Sequence, residues 1–203
     1  MTLRIGVLAY QGGVYEHEYM LRRAFTELGV NGDVVLVKKP NQLREIDGVI
    51  IPGGESTTIG RLAERFGVLD LLRDLIKEGL PAFGTCAGAI MMAKKVRDSV
   101  VGEVQQPVLG VMDVEIVRNY YGRQRDSFEI DLSIPTLGEE PFRGVFIRAP
   151  AIVKLWNDAE PLAKLEGVTV LARQKNMLAS TFHPELSGDT RLHKLFIEEL
   201  VKK

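Results

Sequence analysis

The chain has 203 residues, 45% of them hydrophobic and 26% charged, with a formal net charge of −1. That is ordinary globular composition, long enough to bury roughly 70% of the unfolded surface, and it gives no reason to expect nucleic acid or an anionic membrane as partner. One cysteine cannot form an internal disulfide, and no stretch approaches the ~18 consecutive apolar residues of a membrane helix, so the expectation is a cytoplasmic protein in a reducing compartment.

Residues 3–9, "LRIGVLA", form an apolar run closed by glycines, as a strand buried on both faces would read. Arg4 interrupts the run and Gly12-Gly13 ends it, which argues against a signal peptide. A helix is predicted over 14–28, with Leu21, Ala24, Phe25 and Leu28 on one face and Gly29 as its stop. Two β-rich runs follow at 33–38 and 47–52, then helix over 56–78 with a break near Gly67. A short strand at 80–84 leads directly into a helix predicted over 87–96. Strand alternating with helix is the pattern of a parallel sheet covered on both faces. The second half changes character: strand-like runs at 109–117, 128–132, 143–148, 168–173 and 177–182, with little helix between them, predict an antiparallel extension. A closing helix follows, capped by Asp189, with Leu192, Leu195, Phe196 and Leu200 facing inward. With no repeat, low-complexity tract or linker, residues 1–203 read as one α/β domain.

The lone cysteine lies in "FGTCAG", residues 83–88, where a strand ends and a helix begins. Gly84 and Gly88, two residues to either side of Cys86, relieve the crowding of so sharp a turn, as in a nucleophile elbow with sulfur in place of the serine oxygen. Such a turn pushes the side chain out at the carboxyl edge of the sheet, where open α/β folds bind ligands. The adjoining helix N-terminus favours thiolate over a thiol whose ordinary pKa is ~8.5. On this motif alone, a buried core cysteine and a nucleophile are both admissible.

A nucleophile needs a base, and the chain offers three histidines. His17 and His193 fall within amphipathic helical patterns and read as exposed or half-buried surface residues. His183, in "TFHPEL", is different. Pro184 pushes it toward extended geometry, where residues i and i+2 project to one side and Glu185 can lie beside it. The carboxylate then takes one ring nitrogen and leaves the other for the thiol, the order of a catalytic triad.

"GTCAG" and "FHPE" together resemble the class I, triad-type glutamine amidotransferases. "LAYQGGVYEH", "IPGGESTT", "FGTCAG", "RNYYGRQRDSFE", "GVFIRAP" and "FHPEL" stand in the order of one branch of them, the glutaminase subunits of pyridoxal 5'-phosphate synthases. The resemblance runs from residue 8 to residue 186. It implies a three-layer αβα sandwich, flavodoxin-like in type, with Cys86, His183 and Glu185 catalytic. It further implies that Gly54, Glu55, Ser56, Arg118, Ile147 and Arg148 hold L-glutamine, and that the Gly54 and Ala87 N–H groups form the oxyanion hole. Arginine suits the α-carboxylate through its rigid fork of donors. No metal and no cofactor is implied. The ammonia released would pass to a separate (β/α)8-barrel synthase subunit in a large hetero-oligomer, since the chain has no room for such a barrel.

Three rivals remain. The same triad could serve another amidotransferase, such as the glutaminase subunit of imidazole glycerol phosphate synthase; "GGESTT" and "GRQRDSFE" argue against it. A thiol enzyme of the DJ-1/PfpI-like group is disfavoured by an "HPE" near the C-terminus. A catalytically silent regulatory subunit is disfavoured by the presence of all three triad residues.

Overall fold

A computed structural model describes residues 2–122 and 127–201 of the chain. β1 (Leu3–Leu8) pairs in parallel with β2 (Gly32–Val37) on one side and β3 (Gly48–Ile51) on the other, and β3 pairs in parallel with β4 (Ala82–Thr85). The crossovers are helical: α1 (Val14–Leu28), then α2 (Ser56–Arg65) and α3 (Leu69–Lys77), separated at Gly67 as predicted. α1 spans the predicted residues and ends at Gly29, whose φ of 62° is the left-handed value at which a helix commonly stops.

Two apolar clusters flank the sheet, and alternation along the strands divides residues between them. Val49 and Ile51 of β3 join Ile59 and Ala63 of α2 and Leu69, Leu72 and Ile76 of α3. Ile50 joins Leu21, Ala24 and Phe25 of α1 on the other face. Burying a side chain such as Leu21, which is 0% exposed, stabilises the fold by roughly 1.5–3 kcal/mol. Helices on both faces of the parallel half of the sheet make the three layers.

The short α4 (Ala87–Met92) follows β4 and stops four residues before its predicted end; Ala93–Asp98 is instead a strand, β5. "AKKVRD" is made of good helix formers, but tertiary pairing overrides propensity. β5 lies parallel to β7 (Met112–Arg118), with Arg97 paired to Glu115 across the ladder and β6 (Gly102–Glu103) on its other edge. β8 (Ser127–Leu132) and β9 (Phe142–Ile147) form a separate antiparallel ribbon, whose Phe142 and Phe146 pack against Phe182. β10 (Ala151–Leu155) and β11 (Glu160–Leu165) were not predicted; both pair with β12 (Val168–Gln174). β13 (Met177–Ser180) then enters the middle of the sheet, antiparallel to β12 and parallel to β4. The complete order is β2-β1-β3-β4-β13-β12-β10-β7-β5-β6, with β11 beside β12. The extension is therefore antiparallel at most pairings, the exceptions being β13 on β4 and β5 on β7.

α5 (Arg191–Leu195) continues into a π-helical segment, Phe196–Val201. Leu192, Leu195 and Phe196 are buried as predicted; the side chain of Leu200 lies outside the described residues. Asp189 stands one residue before the cap position, which Thr190 takes, and its carboxylate accepts from the Arg191 N–H at 2.9 Å. Among the described residues no helix is long and apolar enough to cross a membrane.

Candidate active site

Strand order brings three separate motifs together. β4 is the central strand, with β3 and β13 as its two parallel neighbours: Ile51 is in register with Gly84, and Ser180 with Thr85. Just beyond these positions β3 runs into Gly53-Gly54, β4 into Cys86, and β13 into His183. All three therefore emerge at the same carboxyl edge, where open α/β sheets hold ligands.

Cys86 has φ 49° and ψ −103°, a strained conformation for a residue with a side chain. Its N–H donates to the Ser180 carbonyl at 2.8 Å, which ties the turn to β13. The elbow requires its glycines. A Cβ on Gly88 would stand 1.9 Å from the Ile51 carbonyl oxygen, and one on Gly84 would stand 2.6 Å from the Gly88 backbone. Ala87 is the first residue of α4, where a helical N–H has no acceptor within its own helix.

His183 Nδ1 lies 2.7 Å from Glu185 Oε1, and the ring borders the same cavity as Cys86, so close that one Cβ on Gly53 would touch both side chains. The pair meets by a different route from the extended segment expected. Pro184 does keep His183 out of helical geometry (φ −103°, ψ 87°), but Pro184–Leu186 then close a 3-10 turn that folds Glu185 back beneath the ring. The His183 N–H, donating to the Val145 carbonyl at 2.8 Å, anchors this turn to β9. Burial alone would lower the pKa of His183, but the nearby Cys86 sulfur and the Glu185 carboxylate outweigh burial and push it up to about 10. Burial works against the charge of Glu185 as well, yet His17 and His183 hold its carboxyl below the ordinary value. The arrangement places an imidazole between the Cys86 sulfur and a buried carboxylate.

A cavity of about 330 Å³ opens over Cys86 and His183. Gly54, Glu55, Ser56, Arg118, Ile147 and Arg148, predicted on resemblance, all line it. A cavity of about 650 Å³ lies elsewhere, beside Gly79, Arg173 and Asn176. The smaller one is the chemically equipped site, because it alone of the two contains the thiol and imidazole. Asn119 and Arg148 line it with φ of 53° and 43°, so with Cys86 it gathers three of the six non-glycine residues of positive φ among those described. Such conformations cluster at functional sites.

Glu55 caps α2, accepting from Thr57 N–H at 3.1 Å and Thr58 N–H at 2.7 Å. These bonds overcome burial and lower its pKa. Its Oε1 is also 3.5 Å from Arg118 Nη2. Arg118 Nη1 donates to Gln106 Oε1 at 2.7 Å, and Gln106 Nε2 donates to Ser56 Oγ at 3.1 Å. Gln106 thus ties the cation to the loop after β3. Gln11, from the loop after β1, accepts from the Glu55 N–H at 2.7 Å and so ties that loop to the one after β3. Neither glutamine was singled out from the sequence, since an uncharged amide in a loop carries no pattern. Of "GRQRDSFE", residues 123–126 lie outside the described residues.

His17 and His193 correct the sequence reading. Both are 0% exposed, not surface residues. His17 lies on the α1 stripe that includes Val14 and Leu21, positions three before and four after it, and that spacing was the available signal. Its ring contacts His193, Thr85 and Glu185 beneath the cavity.

A sequence model of the SNO glutamine amidotransferase family matches residues 7–202. Over 205 residues, covering 99% of this chain and all of the other, the chain is 60% identical to a pyridoxal 5'-phosphate synthase subunit PdxT of Staphylothermus marinus. Identity to a protein of the same description from Aeropyrum pernix is 62%, with the same coverage. One crystal structure of a glutamine amidotransferase superposes with a TM-score of 0.84 at 46% identity, over 98% of this chain and 99% of that one. A glutamine amidotransferase of Thermotoga maritima, at 18% identity and a TM-score of 0.56 over 98% of this chain and 84% of that one, shares the fold. The family match runs from β1 to the last helical turn and takes in every segment around the cavity: the chain belongs to the SNO glutamine amidotransferase family.

Proposed function

We propose that the chain is the glutaminase subunit of a pyridoxal 5'-phosphate synthase, hydrolysing L-glutamine to L-glutamate and ammonia through Cys86, His183 and Glu185. The observation that carries this is that the sulfur, the imidazole and the buried carboxylate bonded to it meet at one cavity, in a protein similar to PdxT subunits.

The thiolate of Cys86 attacks the side-chain amide carbon of glutamine, and the carbonyl oxygen takes up the negative charge. Backbone N–H groups of Gly54 and Ala87 stabilise that oxyanion where charge develops. His183 gives its proton to the departing nitrogen, so the C–N bond breaks, ammonia leaves and a γ-glutamyl thioester remains. The neutral imidazole then takes a proton from water, which attacks the thioester and frees glutamate and the thiolate. Glu185 keeps the imidazole oriented and stabilises its charged form. Glu55, Ser56, Arg118, Ile147 and Arg148 hold the amino-acid end of the substrate. The guanidinium of Arg118 suits the α-carboxylate and the carboxylate of Glu55 suits the α-ammonium, in a cavity at the small end of the ~300–1,000 Å³ range of ligand sites.

Residues 1–203 act as one domain in this reading: β13, from the C-terminal half, is an inner strand of the sheet and delivers the base to the nucleophile. The ammonia passes to a separate (β/α)8-barrel synthase subunit in a large hetero-oligomer within the cytoplasm. The isolated glutaminase is weak, and docking completes the oxyanion hole at Gly53-Gly54. Glutamate release from glutamine is measured with and without the synthase subunit. Activity that rises on mixing and vanishes in Cys86→Ala supports the proposal. Equal rates with and without the partner refute the activation, and hydrolysis by Cys86→Ala refutes the triad.

A further inference from the structure

The mechanism above uses one of three histidines, yet the other two are buried directly behind it. His17, on α1, places Nε2 3.4 Å from Glu185 Oε2 and 3.0 Å from Thr85 Oγ1. Its other nitrogen, Nδ1, is 3.0 Å from His193 Nε2, on α5. Glu185 Oε2 has no hydrogen bond among the described residues, and neither has His193 Nδ1. The side chains of Glu185 and His17 are 1% and 0% exposed, so water does not screen them.

Burial lowers the pKa of both rings, that of His193 to about 3, so each carries one proton at neutral pH. Two arrangements of those protons fit the 3.0 Å contact between the rings. In one, His17 Nδ1–H donates to His193. The lone pair of His17 Nε2 then accepts from the Thr85 hydroxyl but also lies 3.4 Å from the Glu185 carboxylate, and His193 is left with a buried N–H that has no acceptor among the described residues. In the other, His193 Nε2–H donates to His17, whose Nε2–H donates to Thr85 Oγ1 at 3.0 Å and leaves the positive edge of the ring 3.4 Å from Glu185 Oε2. The unpartnered atom is then a ring lone pair. The second arrangement avoids both penalties, because a buried donor without an acceptor and an acceptor facing a carboxylate are each costly.

We infer that His17 is a positioning residue for the reaction. Locked by His193 into the tautomer that bears its proton on Nε2, it sets the positive N–H edge of its ring 3.4 Å from the far oxygen of Glu185, and by that field keeps the carboxylate ionised and turned toward His183. The inference rests on the triad assignment and extends it to a five-membered line, Cys86–His183–Glu185–His17–His193, joining the elbow to α1 and α5. The other groups facing this line are few. His183 lies across Glu185, Glu16 is the neighbouring charge on α1, Thr85 flanks His17 from β4, and the ring of Phe83 stands edge-on to His193.

The test uses three variants assayed as the complex with the synthase subunit. His17→Met removes the N–H at similar bulk; His17→Gln restores an amide N–H at the position of Nε2. His193→Phe removes the donor that fixes the tautomer. Without the His17 N–H, Glu185 takes up a proton at higher pH and ceases to orient His183. His17→Met is therefore expected to lower kcat about 10-fold through loss of the favourable field at the carboxylate, with KM little changed. The acid limb of its kcat profile moves to higher pH. His17→Gln recovers both, and His193→Phe shifts the limb in the direction of His17→Met. Unchanged kcat and acid limb in His17→Met overturn the inference. So does a loss of activity in both His17 variants that follows melting temperature with no movement of the limb. Cys86→Ala separates the two levels: residual hydrolysis there defeats the triad itself, whatever His17 does.

Discussion

Gly53→Ala tests the geometry of the site with a single methyl group. Gly53 has no positive φ, so alanine fits its backbone. The added Cβ, however, would stand 2.4 Å from His183 Cε1, 2.9 Å from His183 Nδ1 and 3.3 Å from Cys86 Cβ. Carbon atoms settle at about 3.5–4.0 Å, so the imidazole must yield by about 1 Å. The ring has somewhere to go, because it borders the cavity, but the move breaks its alignment between sulfur and Glu185. A displacement of about 1 Å at a reacting group costs on the order of 100-fold in rate. Stability changes less: overpacking costs ~1–3 kcal/mol, and the lower entropy of an unfolded chain with alanine returns ~0.4–1 kcal/mol. The variant should therefore fold, with glutaminase activity in the complex reduced about 100-fold and thiol alkylation by a glutamine-analogue electrophile slowed in parallel. Activity close to that of the unsubstituted protein would refute the reasoning, since it would mean that the imidazole seen beside Cys86 is not in its reacting position.

Other consequences follow from the same contacts. Arg118→Lys keeps a charge but loses the fork that reaches both Gln106 and the cavity, so KM for glutamine rises by about 10-fold or more while kcat changes little; steady-state kinetics show the split. Gly88→Ala drives a Cβ to 1.9 Å from the Ile51 carbonyl, a backbone contact that no rotamer relieves. A loss of ~3 kcal/mol or more in chemical denaturation is expected, and a stability equal to that of the parent would contradict the elbow packing. Glu185 has a folded pKa below its ordinary 4.5, so its contribution to stability is complete above that value and is lost as pH falls through the lower, folded one. Urea unfolding on either side of pH 4.5 should show the parent weakening toward acid and Glu185→Gln lacking that part of the slope.

The first half of the fold was legible because each element answers to one local pattern. α1 carries a stripe of period 3.6 and a glycine stop, and β1 and β3 are short apolar runs between turn residues. β5 was not legible, because Ala, Lys and Arg favour helix locally and only the partner strand β7 makes them extended. β10 and β11 failed for a related reason. "AIVKL" and "EPLAKL" are short and mixed, and their pairing with β12 includes register shifts that no local alternation records.

The candidate site divides along the same line. Cys86, with glycines at both flanks, and His183, locked by Pro184, announce themselves because their backbones are special, and backbone demands leave traces in neighbouring residues. His17 and His193 have ordinary helical backbones, and what marks them is position on a buried stripe. A neutral imidazole has the size of a core side chain, so it interrupts neither the period nor the packing. The consequence for the chemistry is specific. Six strand ends, those of β1, β3, β4, β7, β9 and β13, supply groups that face the cavity, but the carboxylate beside His183 is backed by two helices, α1 and α5, that contribute nothing to the cavity itself. Their packing against each other therefore sets the distance between His17 and His193, and through it the proton that faces Glu185. If the proposed triad holds, a substitution deep in the α1–α5 interface acts on Cys86 through three imidazoles and one carboxylate, without touching the cavity wall.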